Sequence, residues 1–248
     1  MLLLLHGLGG SAASWDAVQD AGPNLGAIAR PTLPGHGPTP SPVPASFDDI
    51  VAELARTVED TLPAPVDVVA YSLGARLALG LLAHHAALVR RATLIGVNPG
   101  LREPAERSAR QRRDDAWAQR LRDEGLASFF AAWQAQSVLQ HAASVDPTHL
   151  AAEERVRLSH DVPSLARALE VTSLGRMPDY GPALAGIDVP VCLVVGEGDE
   201  KFLGIARTMT PELRRGEMAL VPRSGHNPLV DNPAWLARLL ERLHEENR

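Results

Sequence analysis

The sequence predicts an α/β fold built on a mostly parallel sheet, with a block of helices inserted between two of its strands. Three observations carry that expectation: short apolar runs that each stop at turn residues, amphipathic helical segments between them, and one long stretch without any strand pattern. The first run, Leu2–Leu5, stops at His6-Gly7. Ala29–Pro44 is then rich in Pro and Gly and reads as a loop over the strand ends. Phe47–Leu62 has amphipathic helical spacing, and Val66–Ala70 is a second apolar run, closed by Tyr71-Ser72. A helix over Ala75–Ala87 leads to Ala92–Val97, which stops at Asn98-Pro99-Gly100. Val191–Val195 stops at Gly196, Glu217–Val221 stops at Pro222, and Ala234–His244 is a final helix. Apolar runs of this length suit strands buried on both faces. Strands alternating with helices imply parallel pairing through right-handed crossovers. Arg102–Arg176 is rich in Arg, Ala and Gln at helical spacing, so it reads as a cap: core 1–98, cap 99–181, core 182–248.

A chain of 248 residues can bury a core that needs no disulfide or metal. Its net charge of −6 weighs against nucleic-acid binding, which asks for a basic stripe. The lone cysteine, Cys192, excludes an internal disulfide, sits in a strand-like apolar run and fits a reducing cytoplasm, the expected location. No stretch approaches the ~20 apolar residues of a membrane span. Leu2–Leu5 lacks the basic flank and the length of a signal peptide.

The candidate chemistry lies at the ends of the predicted strands. Ala70-Tyr71-Ser72-Leu73-Gly74 follows a strand and precedes a helix, the setting of a nucleophile on a sharp turn. Small residues must flank that turn; Gly74 fits and Ala70 is small enough. The Leu73 N–H, at the helix start, can face a developing oxyanion. His6-Gly7-Leu8-Gly9-Gly10 can bring a second backbone donor, that of Leu8, beside the serine. A phosphate loop is the rival reading, but neither G-x-G-x-x-G nor G-K-[ST] is present. A serine needs a base, and His226 in Ser224-Gly225-His226-Asn227 follows the last strand. Of the other histidines among the nine, His6 and His36 read as structural, His84-His85 as solvated, and His141, His149 and His160 as scattered through the cap. Asp199, in Gly196-Glu197-Gly198-Asp199, can orient the imidazole; Glu197 and Glu200 compete for that role. The chain order is then Ser72, Asp199, His226.

Together these segments resemble the α/β-hydrolase superfamily, through His6–Gly10, Leu33-Pro34-Gly35-His36-Gly37, the turn at Ser72 and Gly225-His226. A closer resemblance is to the 2-succinyl-6-hydroxy-2,4-cyclohexadiene-1-carboxylate synthases of menaquinone biosynthesis. Tyr71-Ser72-Leu73-Gly74-Ala75-Arg76 resembles their YSLGGR, with Ala75 for a glycine, and Gly196–Phe202 resembles their GExDxKF. Asn98-Pro99-Gly100-Leu101 resembles SPGL, and Glu106-Arg107, Arg110 and Asp114 resemble the basic start of the cap. Trp133 and Gln136 match WxxQPLF in part, although Ser137-Val138-Leu139 departs from it. Leu169–Leu174 resembles the segment before the next strand and so places Arg157 on a family arginine. Superfamily members usually carry strands ahead of the His-Gly turn. Here His6 comes early, so an α/β-hydrolase sheet of about six strands is expected, with the N-terminal strands missing.

The resemblance implies a carbon–oxygen lyase that eliminates pyruvate from a succinylated cyclohexene carboxylate, with no metal or organic cofactor. Ser72, deprotonated through His226, would remove a carbon-bound proton, and the N–H groups of Leu8 and Leu73 would hold the resulting charge. A substrate with several carboxylates suits arginine forks. Arg76 stands one helical turn beyond Ser72 on the same side. Arg76, Arg110 and Arg157 are therefore the candidate anion binders, with Tyr71 and Trp133 as substrate-lining residues; Arg107, Arg112 and Arg113 read as a solvated face. A serine esterase or carbon–carbon-bond hydrolase acting on a small anionic substrate uses the same triad and remains the alternative. Epoxide hydrolases and haloalkane dehalogenases need a carboxylate where Ser72 stands. A non-catalytic binding protein of this fold would show a broken triad.

Overall fold

The computed structural model describes residues 1–22, 26–142 and 145–245; the last three residues of the expected segment 182–248 lie outside that range. Among the described residues six strands form one sheet in the order β2-β1-β3-β4-β5-β6, every pair parallel. They are β1 (Leu2–Leu5), β2 (Ile28–Ala29), β3 (Val66–Tyr71), β4 (Val89–Ile95), β5 (Val191–Gly196) and β6 (Gly216–Val221). From β1 the chain steps out to β2, then crosses back to β3 on the other side of β1. That reversal opens a crevice at the carboxyl ends of β1 and β3, where ligands bind in open α/β sheets.

Side-chain alternation along the strands feeds two cores. Leu3 and Leu5 of β1, Val68 and Ala70 of β3, and Leu193 and Val195 of β5 pack with α2 (Phe47–Thr61) and α3 (Leu73–His85). Leu2, Leu4, Val69, Cys192 and Val194 point the other way, onto Trp15, Val18 of α1 (Asp16–Asp20) and α9 (Pro233–Glu245). Helix α3 follows the central strand and is apolar nearly all round, as a helix buried on most sides must be. Its Leu77, Leu79, Leu81 and Leu82 are at most 2% exposed; full burial of each such side chain contributes about 1.5–3 kcal/mol.

Three elements differ from the sequence pattern. Ala29, expected in a loop, belongs to the two-residue β2, too short for a period to register. Strand β4 starts earlier than expected because Arg90 and Arg91 mask it; the Arg90 Nε pairs with Asp67 Oδ1 at 2.8 Å across the strands. The strand then stops at Gly96, whose φ of +60° breaks it. Strand β6 is an edge strand, not buried on both faces: Met218 is 37% and Leu220 39% exposed.

Between β4 and β5 come α4 (Pro104–Gln134), α5 (Pro147–Arg157) and α6 (Val162–Val171). Gly125, at φ 74° and ψ 178°, interrupts α4. The insertion has its own apolar cluster, with Ala118, Leu121, Phe129, Phe130, Leu165 and Leu169 buried together. Among the described residues no helix is long and apolar enough to cross a membrane. The remaining helices are α7 (Glu200–Met209) and α8 (Pro228–Asp231).

A histidine tie holds the insertion to the core. His160, between α5 and α6, accepts from Gly37 N–H at Nδ1 (2.9 Å) and donates from Nε2 to Gly9 O (2.9 Å). Next to it His36 donates to Pro34 O, and beyond that His6 donates to Gly7 O and accepts from Leu33 N–H at 3.0 Å. The rings stack edge-on in sequence, His6–His36 at 4.9 Å and His36–His160 at 5.6 Å. Burial lowers all three pKa values, that of His6 to about 4. Each is neutral when folded but titrates near 6.5 when unfolded, so the unfolded chain takes up protons the folded one refuses. Stability should therefore fall as pH drops from about 6.5 towards 4, by about 3 kcal/mol from His6 alone. Urea midpoints measured over that range check this, and His6→Asn should show a shallower slope.

Candidate active site

Strand β3 ends at Tyr71 and α3 begins at Leu73, so one residue makes the whole turn. That residue, Ser72, is held at φ 50° and ψ −104°, a conformation that costs a non-glycine residue about 1–3 kcal/mol. Its N–H donates to Ile95 O at 2.8 Å, and its carbonyl accepts from Arg76 N–H at 3.1 Å, which starts the helix. The turn is tight enough that a Cβ at Gly74 would stand 2.5 Å from Leu5 O and 2.7 Å from His6 O. The His6-Gly7 turn is equally close, since a Cβ at Gly7 would meet the Tyr71 ring at 2.8 Å. The Leu8 and Leu73 N–H groups make no backbone hydrogen bond among the described residues, which leaves two donors beside the serine.

Two other strand ends meet Ser72. His226 Nε2 lies 3.3 Å from Ser72 Oγ, and its Nδ1 lies 2.7 Å from Asp199 Oδ2. His226 and Asp199 are each 5% exposed. Asp199 caps α7, its Oδ1 accepting from Phe202 N–H at 3.2 Å, and this leaves Oδ2 to the imidazole. The Phe202 ring packs on the His226 ring with centroids 4.3 Å apart. The loops after β5 and β6 are zipped together, Glu197 N–H to Val221 O and Gly198 N–H to Ser224 O, both at 2.9 Å. Gly196 permits that approach, for a Cβ there would lie 2.5 Å from Ser224 O. Glu197, the rival acid, instead accepts from Arg223 N–H at the surface.

Ser72, Leu8, Leu73 and His226 open onto a cleft that Arg76, Arg110, Trp133 and Phe202 also line. The Arg76 Nη1 donates to Thr172 O at 2.7 Å, and its guanidinium lies over the Phe47 ring at 5.9 Å. Burial, and then the nearby Arg110, lower its pKa to about 10. No ion pair involves Arg76 among the described residues. Arg110 is anchored through Nε to both Asp114 oxygens at 2.9 Å, and Ser173 holds Asp114 Oδ2 at 2.7 Å. The outer ends of the Arg110 guanidinium are thus left to the cleft.

A model of the Alpha/beta hydrolase family matches residues 2–239. The chain belongs to this family. Its relatives within the hydrolase family include the 2-succinyl-6-hydroxy-2,4-cyclohexadiene-1-carboxylate synthase of Serratia proteamaculans, 35% identical over 95% of this chain and 89% of the relative. The synthase of the same name from Enterobacter sp. is 34% identical over 98% of this chain and 90% of the relative. Among solved structures of the fold, MenH from S. aureus superposes with a TM-score of 0.92 at 26% identity, covering 99% of this chain and 93% of that one.

The sequence-derived candidates do not all converge. Arg157 faces a second lobe beside Ser72, shared with Tyr71 and Glu153. There it pairs with Glu153 at 2.8 Å and lies over the Phe130 ring at 5.5 Å. Trp133 borders both lobes and stacks on Phe129 at 5.5 Å. Arg113, expected on a solvated face, is exposed and stands at the rim of the cleft. So does Lys201, whose pKa is lowered by burial and then by Arg110 and Arg113. Lys201 was within reach of sequence reasoning, standing two residues past Asp199. Two cap histidines are not scattered: besides His160, His141 bridges Asp231 and Glu153. Replacing Gly74 by Ala should cost about 1–3 kcal/mol through overpacking, read as a lower urea midpoint; an unchanged midpoint would mean the turn is looser than described.

Proposed function

We propose that this chain is a lyase of the 2-succinyl-6-hydroxy-2,4-cyclohexadiene-1-carboxylate synthase type, with Ser72, His226 and Asp199 as its catalytic triad. His226 takes the Ser72 proton, and Asp199 stabilises the imidazolium and fixes the ring. The serine oxygen then removes a proton from a substrate carbon. The electron pair of that C–H bond becomes a new C=C bond as the C–O bond to the leaving group breaks, and the group departs as the enolate of pyruvate, which takes up a proton to become pyruvate. Charge that develops on the substrate oxygen is held by the Leu8 and Leu73 N–H groups, both aimed before reaction begins. No acyl-enzyme forms, because the serine acts as a base and not as a nucleophile.

Arg76 carries this reading. A half-buried guanidinium without an ion-pair partner among the described residues, in the same cleft as the serine, calls for an anionic ligand. Arg110, presented by Asp114, adds a second fork, and Trp133, Tyr71 and Arg157 line the rest of the substrate path. Residues 99–181 serve as the cap over core segments 1–98 and 182–248. The substrate is small and anionic. We place the reaction in the cytoplasm, in keeping with a buried, unpaired Cys192.

Purified protein supplied with the succinylated cyclohexene precursor should release pyruvate, and Ser72→Ala should abolish that release. Rapid cleavage of p-nitrophenyl acetate with no pyruvate would put an acyl-transferring esterase in place of the lyase. Arg76→Ala should lower kcat/KM by the worth of a charged contact, about 2–4 kcal/mol. An unchanged value would remove Arg76 from the substrate site.

A further inference from the structure

We propose that His141 is a positioning residue: as an imidazolium between Asp231 and Glu153, it latches the loop that presents His226 onto the helical insertion. This rests on the reading of His226 as the catalytic base.

The latch grips His226 from both flanks. On one side Gly225 N–H donates to Asp231 Oδ2 at 2.6 Å, and Ser224 Oγ donates to the same oxygen at 3.4 Å. On the other side Asn227 Nδ2 donates to Glu153 Oε1 at 2.8 Å, and Arg157 Nη2 reaches that oxygen at 2.8 Å. His141 joins the two carboxylates, with Nδ1 donating to Asp231 Oδ1 at 2.7 Å and Nε2 to Glu153 Oε2 at 2.8 Å. Glu153 is on α5, within the insertion, and Asp231 ends α8, just past the His226 loop. The Asp231 side chain is 0% exposed and that of His141 12%.

Charge is what makes this arrangement possible. Both partners are carboxylates, which only accept. A neutral imidazole donates from one nitrogen and would turn the lone pair of the other towards a carboxylate. Only the doubly protonated ring satisfies both. Burial opposes that charge, but the hydrogen bonds His141 donates to Asp231 and Glu153 prevail and raise its pKa to about 9. The other titratable groups bordering this space are Arg157 and His149 on α5, Tyr71 at the end of β3, and Asp16, which is paired with Arg30. The Tyr71 pKa is raised well above its usual value by burial, so it stays neutral through that range. His149 Nδ1 lies 3.3 Å from Val230 O, a contact of α5 with α8 that does not involve the two carboxylates.

The test is backbone hydrogen exchange of residues 222–232, corrected for intrinsic rate, in wild type and His141→Gln from roughly pH 7 to 10. In wild type, exchange in that segment should rise as pH passes about 9 while β3 and β5 stay protected. In H141Q it should be raised already at neutral pH, with no further step. In the pyruvate assay H141Q should lose about tenfold to a hundredfold in kcat with KM within about twofold, and should lack the wild-type decline near the same pH. Equal exchange in the two proteins at neutral pH, or no step in wild type, overturns the latch. If H141Q does not fold, the wild-type step alone decides. Absence of pyruvate from wild type would overturn the lyase reading and leave the exchange result to judge the latch by itself.

Discussion

Everything chemical in this molecule depends on a single-residue turn between β3 and α3. Ser72 takes up a positive φ there, and the turn is pinned by the Ile95 carbonyl on one side and by the Leu5 and His6 carbonyls against Gly74 on the other. The cost of that backbone conformation is offset by the burial of a central strand and an almost wholly apolar helix. In return the hydroxyl stands clear of the sheet, the Leu73 N–H is left without a backbone acceptor, and Arg76 falls one helical turn along the same wall. The same carbonyls that hold Gly74 also place the His6-Gly7 turn, so the Leu8 and Leu73 N–H groups share one support.

Histidine is put to three uses here, and the partners decide which. His6 and His160 each face one carbonyl and one N–H, a pairing that a neutral ring satisfies with one donor and one acceptor. Burial then holds them neutral, and they join loops. His141 faces two carboxylates and must be charged. His226 faces one carboxylate and one hydroxyl, so it is held firmly at Nδ1 and free to exchange a proton at Nε2. The same side chain thus becomes a rivet, a charged latch or a base according to whether its two neighbours donate, accept or do both.

Much of the candidate site was legible along the chain because Ser72, Asp199 and His226 each follow a strand within a few residues, and strand ends carry strong local signals. An apolar run closed by a small-residue turn marks Ser72, Asp199 and His226 alike, and Gly74 and Gly196 mark close backbone approaches. The cap was less legible. Helical spacing places arginines on a helix but does not say which face meets a cleft, so it did not tell that the exposed Arg113 borders the cleft or that Arg157 turns to the other lobe. His141 and His160 carry no local signature at all; each depends on a partner far along the chain, 90 residues away for His141 and 151 for His160.

What the amino-acid sequence determined by itself was the alternation of strands and helices, the sharp turn at Ser72 and the placing of Ser72, Asp199 and His226 after strands in that order, since each follows from short-range sterics and hydrophobic period. Only the tertiary structure decided which cations face the serine, that β6 is an exposed edge, and that charged and neutral histidines tie the insertion to the core. Those outcomes depend on contacts between segments far apart in the chain, where burial and the nature of the partner set a side chain's charge, and neither is written in its neighbours.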